Sequence, residues 1–143
     1  MTKAVGLIAA LIASAASAQL AATAFDLNRS APLTLGAWQY IAQPGGSEAR
    51  FGTRFQLRCD LGARRVLVRR IEPVATIASG PLAISTDTMS RAVASDGWLA
   101  ATDPLLAAIA FTRGRFVVDG GGGERLVLPS SPEAARSIED CRN

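Results

Sequence analysis

The clearest pattern along the chain is an alternation. From Thr53 to Cys59, with Phe51 just before, the apolar residues Phe51, Phe55, Leu57 and Cys59 share one parity, while Arg54, Gln56 and Arg58 occupy the other. Period two predicts a strand with one wet face and puts Cys59 on the buried side. Asp60-Leu61-Gly62-Ala63 reads as a turn into a second strand, Arg64 to Arg70. The apolar centre of that strand, Val66-Leu67-Val68, predicts cover on both faces, and its arginine ends must reach water. Earlier, Leu35, Ala37 and Gln39 fall on one side of a short strand with Trp38 and Tyr40 on the other, and Pro44-Gly45-Gly46-Ser47 interrupts it as a turn.

Further strands are expected at Leu82 to Thr86, Arg91 to Ala94 and Trp98 to Ala100, the last two joined as a hairpin across Ser95-Asp96-Gly97. The stretch between Pro73 and Pro81 receives no element. Arg115 to Val118 and Arg125 to Leu128 flank Asp119-Gly120-Gly121-Gly122-Gly123-Glu124, which predicts strand, flexible loop and strand.

Twice the period shifts toward 3.6. Asp103 can cap a helix at 104–112 with Pro104 in the first turn, and Leu105, Leu106, Ile109 and Ala110 form its apolar stripe. This helix is too short to hold alone and must pack on the sheet. A second helix is predicted at 132–141, capped either by Ser130 with Glu133 in a capping box or by Ser131 with Pro132 at the first position. Ala134, Ile138 and Cys141 lie on its apolar face, so a bridge from Cys59 to Cys141 would pin the C-terminal helix to the early sheet. The predicted fold is β-rich α+β: an antiparallel sheet or small sandwich with two short helices, the C-terminal one tied to the sheet by a disulfide.

The start of the chain changes the setting. Lys3 supplies a positive n-region, Val5 to Ala13 an apolar core, and Ala16-Ser17-Ala18 a small-residue cleavage site before Gln19. Residues 1–18 therefore read as a signal peptide, 19–32 as a flexible lead-in and 33–143 as one disulfide-linked domain. Export into an oxidising compartment, periplasmic or secreted, favours a structural Cys59–Cys141 bridge, and no later stretch is long and apolar enough to be a membrane span.

Composition then narrows the chemistry. The chain of 143 residues contains no histidine, and Lys3 is its only lysine. Histidine-dependent triads, HExxH metal sites, Ser-Lys dyads and Schiff-base chemistry are excluded within one processed chain. No cofactor or metal-binding pattern is present. Acids that could converge as glycosidase carboxylates or calcium ligands, Asp87, Asp96, Asp103 and Asp119, have spacing that selects no pair and no EF-hand loop. The four glycines lack the Lys-Ser/Thr end of a phosphate loop, so a hairpin loop is expected there, with insertion into the cleft of a lytic or proteolytic enzyme as a rival role.

A formal charge of +3 is too small for a nucleic-acid partner. The arginines are more informative: Arg54, Arg58, Arg64, Arg65, Arg69 and Arg70 fall on two neighbouring strands and form a candidate basic surface for an anionic envelope component or an acidic envelope protein. The expectation is a non-enzymatic binding domain, with a carboxylate-dependent hydrolase as the alternative from another class.

Leu35-Gly36-Ala37-Trp38, Arg58-Cys59-Asp60, Asp103-Pro104-Leu105-Leu106, Phe111-Thr112-Arg113-Gly114-Arg115-Phe116 and Ile138-Glu139-Asp140-Cys141-Arg142 together resemble small exported proteins of sphingomonad-type bacteria. The resemblance spans nearly the whole processed chain and implies export without implying an activity. More remotely the chain is similar to invasion-associated locus B proteins, which implies a small, exported, β-rich disulfide protein, although it lacks their additional cysteines.

Overall fold

The computed structural model describes residues 21–71 and 81–143. The proposed signal peptide, 1–18, lies outside them, as does most of the stretch between Pro73 and Pro81. Among the described residues nine strands form two antiparallel sheets: β1 (Trp38–Gln43), β2 (Gly46–Phe51), β3 (Phe55–Asp60), β4 (Arg65–Arg70), β5 (Leu82–Ser85), β6 (Ser90–Ala92), β7 (Trp98–Ala100), β8 (Arg115–Gly120) and β9 (Leu126–Pro129). Three short helices accompany them: α1 (Ala24–Leu27), α2 (Pro104–Ala110) and α3 (Pro132–Asp140). The five-stranded sheet has the order β1-β2-β3-β4-β7 and the four-stranded sheet the order β6-β5-β8-β9.

The alternation around Phe55 covers two strands rather than one. Gly52-Thr53-Arg54 is the turn between β2 and β3, and Phe51 pairs with Phe55 across it. A three-residue turn sets the residues on either side directly opposite each other, so parity is preserved through the hairpin and Ser47, Ala49, Phe51, Phe55, Leu57 and Cys59 all face inward. Gly46 and Ser47, expected in a turn, are the first residues of β2, and Pro44-Gly45 alone makes the bend, with Gly45 at φ +79°. The first strand begins at Trp38 rather than Leu35, which is 90% exposed.

The expected hairpin across Ser95-Asp96-Gly97 is not formed. β6 pairs with β5 and β7 with β4, so these residues carry the chain from one sheet to the other. Gly97 makes the crossing feasible: its φ is +74°, its carbonyl accepts from Val68 N–H at 2.8 Å, and a Cβ there would lie 2.6 Å from the Val68 carbonyl oxygen.

The core lies between the inner faces, with Phe51, Phe55, Leu57, Val66 and Val68 from one sheet and Ile84, Phe116, Val118, Leu126 and Leu128 from the other. Trp38, Phe55 and Phe116 meet edge-to-face or tilted at centroid separations near 6 Å and link the two layers. α2 adds Leu105, Leu106 and Ile109, and α3 adds Ala134 and Ile138. Asp103 accepts from Leu105 N–H at 2.8 Å, and Ser131, not Ser130, caps α3 by accepting from Ala134 N–H at 3.1 Å. Both helices start with proline, whose missing donor is no loss in a first turn.

α3 lies over β1, β2 and β3 and is fixed by three side-chain links. Ser47 and Ser137 hydroxyls meet at 3.2 Å, Tyr40 donates to Asp140 at 2.6 Å, and Cys59 is bonded to Cys141. The predicted tie between the early sheet and the final helix is therefore present.

Within the segment read as a lead-in, residues 21–32 hold α1. Thr23 and Asp26 form a capping box, Phe25 is buried, and its N–H donates to the Ser85 hydroxyl at 3.0 Å. Arg115 donates to the Asn28 and Ala31 carbonyls, which holds the end of this segment on β8.

A candidate binding face on the five-stranded sheet

The inward parity of β2 and β3 forces the opposite parity outward. Read across the sheet, one row runs Ile41, Glu48, Arg58, Leu67, Trp98; the next runs Gln39, Arg50, Gln56, Arg69; a third includes Asp60 and Arg65. Four arginines and two acids thus share one face. No described helix lies on it: α3 packs beside the inward-facing Tyr40, Ser47 and Cys59.

Trp98 organises the basic end. The Arg65 guanidinium carbon lies 4.1 Å from a Trp98 ring centroid and that of Arg58 lies at 5.8 Å, so the indole is flanked by two cations. The close contact restricts the Arg65 guanidinium, whose planar fork of donors suits carboxylate or phosphate oxygens. Arg65 Nε also approaches Asp60 at 3.6 Å, and Arg69 Nε donates to Gln56 Oε1 at 2.6 Å. Arg65 and Arg69 are both exposed.

Glu48 sits at the quieter end of the face. Although it points away from the core, it is 2% exposed: Gln43 Nε2 donates to one carboxylate oxygen at 2.9 Å and Arg50 Nε to the other. The paired acid neutralises Arg50, and Asp60 partly offsets Arg65, so the excess positive charge of the face lies among Arg58, Arg65 and Arg69.

Of the six arginines singled out from the sequence, three therefore meet on this face. Arg64 lies in the turn between β3 and β4 at φ +49° and donates to the Arg142 carbonyl at 2.6 Å, fastening the C-terminus. Arg54 stands in the turn between β2 and β3. Arg70 has the inward parity of Val66 and Val68 and runs beneath the glycine-rich loop. Arg50 lies outside the strand expected over Thr53 to Cys59 and belongs to β2; the alternation Ser47, Glu48, Ala49, Arg50, Phe51 is the signal that identifies it.

The glycine-rich segment is divided between elements: Asp119 and Gly120 complete β8, and Gly121-Gly122-Gly123-Glu124 lie in the connection to β9. Arg70 donates through both terminal nitrogens to the Glu124 carbonyl, and Arg125 pairs with Asp119 at 2.6 Å. A Cβ on Gly121 would meet Arg70 Cδ at 2.8 Å, and one on Gly123 would meet Arg70 Nη1 at 2.6 Å. These glycines let the loop lie flat against an arginine side chain.

The acids considered for catalysis or calcium are used locally. Asp103 caps α2 and takes two bonds from Arg91, Asp96 accepts from Trp98 N–H, Asp119 holds Arg125, and Asp87 is exposed in the turn between β5 and β6. Among the described residues no three acids or cysteines gather in a way that could hold a metal ion. A shallow groove of about 240 Å³ beside exposed Phe111, Ser131 and Pro132 is lined by no titratable side chain. Among the described residues no helix is long and apolar enough to cross a membrane. Comparison with protein-family models, with curated proteins and with solved structures finds no match.

Proposed function

We propose that the protein is a non-enzymatic binding domain, exported to the periplasm or secreted, that engages an anionic envelope component through the outer face of its five-stranded sheet. The observation that carries this reading is Trp98 flanked by Arg58 and Arg65, with the exposed Arg69 on the same outer face. An arginine held against the indole loses less freedom on binding than a free one, and the combined field of the arginines attracts an anion in a salt-dependent way. The disulfide and the signal-peptide pattern of residues 1–18 support an oxidising compartment.

Cosedimentation with phosphatidylglycerol vesicles at low salt, against phosphatidylcholine vesicles as the neutral control, tests it. Preferential binding to the anionic vesicles, lost in Arg58→Gln/Arg65→Gln/Arg69→Gln, is expected. Equal binding to the two vesicle types, or undiminished binding by the triple variant, would overturn the arginine face as the recognition surface.

A further inference from the structure

Among the described residues the two sheets present four edges, and three are blunted. β6 and β7 have three residues each, and β6 carries Arg91. β9 is covered by the incoming chain, since Val127 N–H donates to Thr34 Oγ1 and its carbonyl accepts from Thr34 N–H, both at 2.9 Å. The fourth edge, β1, has six residues, Trp-Gln-Tyr-Ile-Ala-Gln, without a charge, a proline or a glycine. Short length, charge, proline and cover are the devices that keep strand edges from pairing; β1 is six residues long without charge or proline, and among the described residues α3 lies over its inner face and no strand pairs with its outer edge.

The register identifies the open groups. Gly52 N–H bonds to the Ala37 carbonyl, and the ladder continues through Gln39↔Arg50, Ile41↔Glu48 and Gln43↔Gly46. Bonded and non-bonded pairs alternate along an antiparallel ladder. Gln39, Ile41 and Gln43 therefore direct their backbone groups to β2, and the N–H and C=O groups of Trp38, Tyr40 and Ala42 point away from the sheet.

We infer that this edge is a self-association site at which β1 pairs antiparallel with β1 of a second copy about a two-fold axis at Tyr40. In that register Tyr40 faces Tyr40 and Trp38 faces Ala42 of the other copy, so each of the three outward residues in both copies donates and accepts one bond. No charged residue of β1 stands at the axis, and Arg50 and Glu48 on the neighbouring strand are paired within each copy. On the outer face Gln39 faces Ile41 of the second copy, and the row runs from Arg50 and Gln39 in one copy to Ile41 and Glu48 in the other, with no like charges opposed. Ile41, 37% exposed, is covered by the contact. A second copy supplies this pattern on both sides at once, which is the self-complementarity an isologous interface requires. The two outer faces would then join into one ten-stranded surface.

The inference is independent of what the arginine face binds, because oligomeric state is read without ligand. Light scattering coupled to size exclusion on the oxidised full chain, over micromolar to millimolar concentration, should show a mass rising to twice that of the monomer. Gln39→Lys/Ile41→Lys, which sets lysines against each other across the axis, should remain monomeric. A native chain that stays monomeric throughout, or a double variant that still dimerises, overturns the inference. Hydrogen exchange on the native chain needs no variant: amides of Trp38, Tyr40 and Ala42 should slow by about tenfold or more between dilute and concentrated samples, and unchanged rates would equally reject the pairing.

Discussion

Cys59, on the inner face of β3, is bonded to Cys141, the residue that caps α3, with their Cα atoms 5.5 Å apart. The two positions are separated by 82 residues, so the bond closes a loop that holds every element from β4 to α3 when the chain unfolds. Gly46, opposite Asp60 on the neighbouring strand, allows the approach: a Cβ there would stand 2.0 Å from the Cys59 carbonyl oxygen. The bridge clamps α3 over β1, β2 and β3, beside the hydroxyl contact of Ser47 with Ser137.

Reduction should therefore lower stability substantially. The chain-entropy model gives about 4.5 kcal/mol for a loop of this length, an upper figure because unfolded chains retain structure. For a domain of this size that corresponds to a fall in Tm of about 10–20 °C. Thermal melts with and without reductant, and of Cys59→Ser/Cys141→Ser, check it; a melting curve unchanged by reduction would show that the bond is dispensable.

Much of this arrangement was legible in the residues, for a physical reason. Buried parity survives a three-residue hairpin turn, so Phe51, Phe55, Leu57 and Cys59 identified the inner face even though the break at Gly52-Thr53-Arg54 was not read. Helix caps were equally plain because Asp103-Pro104 and Ser131-Pro132 act through local geometry. The division into two sheets was not legible: β4 finds β7 and β5 finds β8 through contacts between residues far apart in sequence, and no local pattern distinguishes a tight hairpin at Ser95-Asp96-Gly97 from a crossing. The candidate face was half visible, since Arg58 and Arg69 follow from strand parity whereas Glu48 and Arg50 depend on recognising β2.

The glycine-rich loop should be sensitive to position. Gly121→Ala combines φ +68° with contacts of 2.6 Å to Leu82 and 2.8 Å to Arg70, whereas Gly114→Ala, at φ +78°, meets nothing within 4 Å. The second change bears only the backbone cost, about 1 kcal/mol, and the first adds steric overlap for a total of about 2–3 kcal/mol. Chemical denaturation of the two variants measures the difference, and equal losses would show that Arg70 and Leu82 move aside freely.

Asp26 provides a pH test at α1. The Thr23 hydroxyl, then the Thr23 backbone N–H and the Arg29 side chain, hold its carboxyl below the ordinary value of 3.8. A carboxyl with a depressed folded pKa stabilises fully above its unfolded pKa, and the contribution disappears as pH falls through the lower folded value. Fraying of α1 should accordingly begin only below pH 3.8. Carboxyl NMR titration should place Asp26 below that value in the native chain and higher in Thr23→Ala; identical titration in both would remove Thr23 as the main cause.

Glu48 and Arg50 lie two residues apart on one strand, yet their side chains meet on the outer face, where Glu48 is buried and the Arg50 side chain is 41% exposed. The partners are unequal in what their removal leaves behind. Without Arg50 the buried carboxylate keeps the Gln43 amide as its side-chain donor and becomes an under-compensated charge, whereas Glu48→Gln keeps the shape and leaves an arginine that can turn to water. Arg50→Ala should therefore cost about 1–3 kcal/mol, discounted for the exposure of the arginine, and Glu48→Gln less. In Arg50→Ala/Glu48→Gln the second change should recover part of the first loss, because the stranded charge is gone. A double-mutant cycle by urea denaturation reads this coupling; strictly additive losses would mean that water, rather than Arg50, compensates the Glu48 carboxylate.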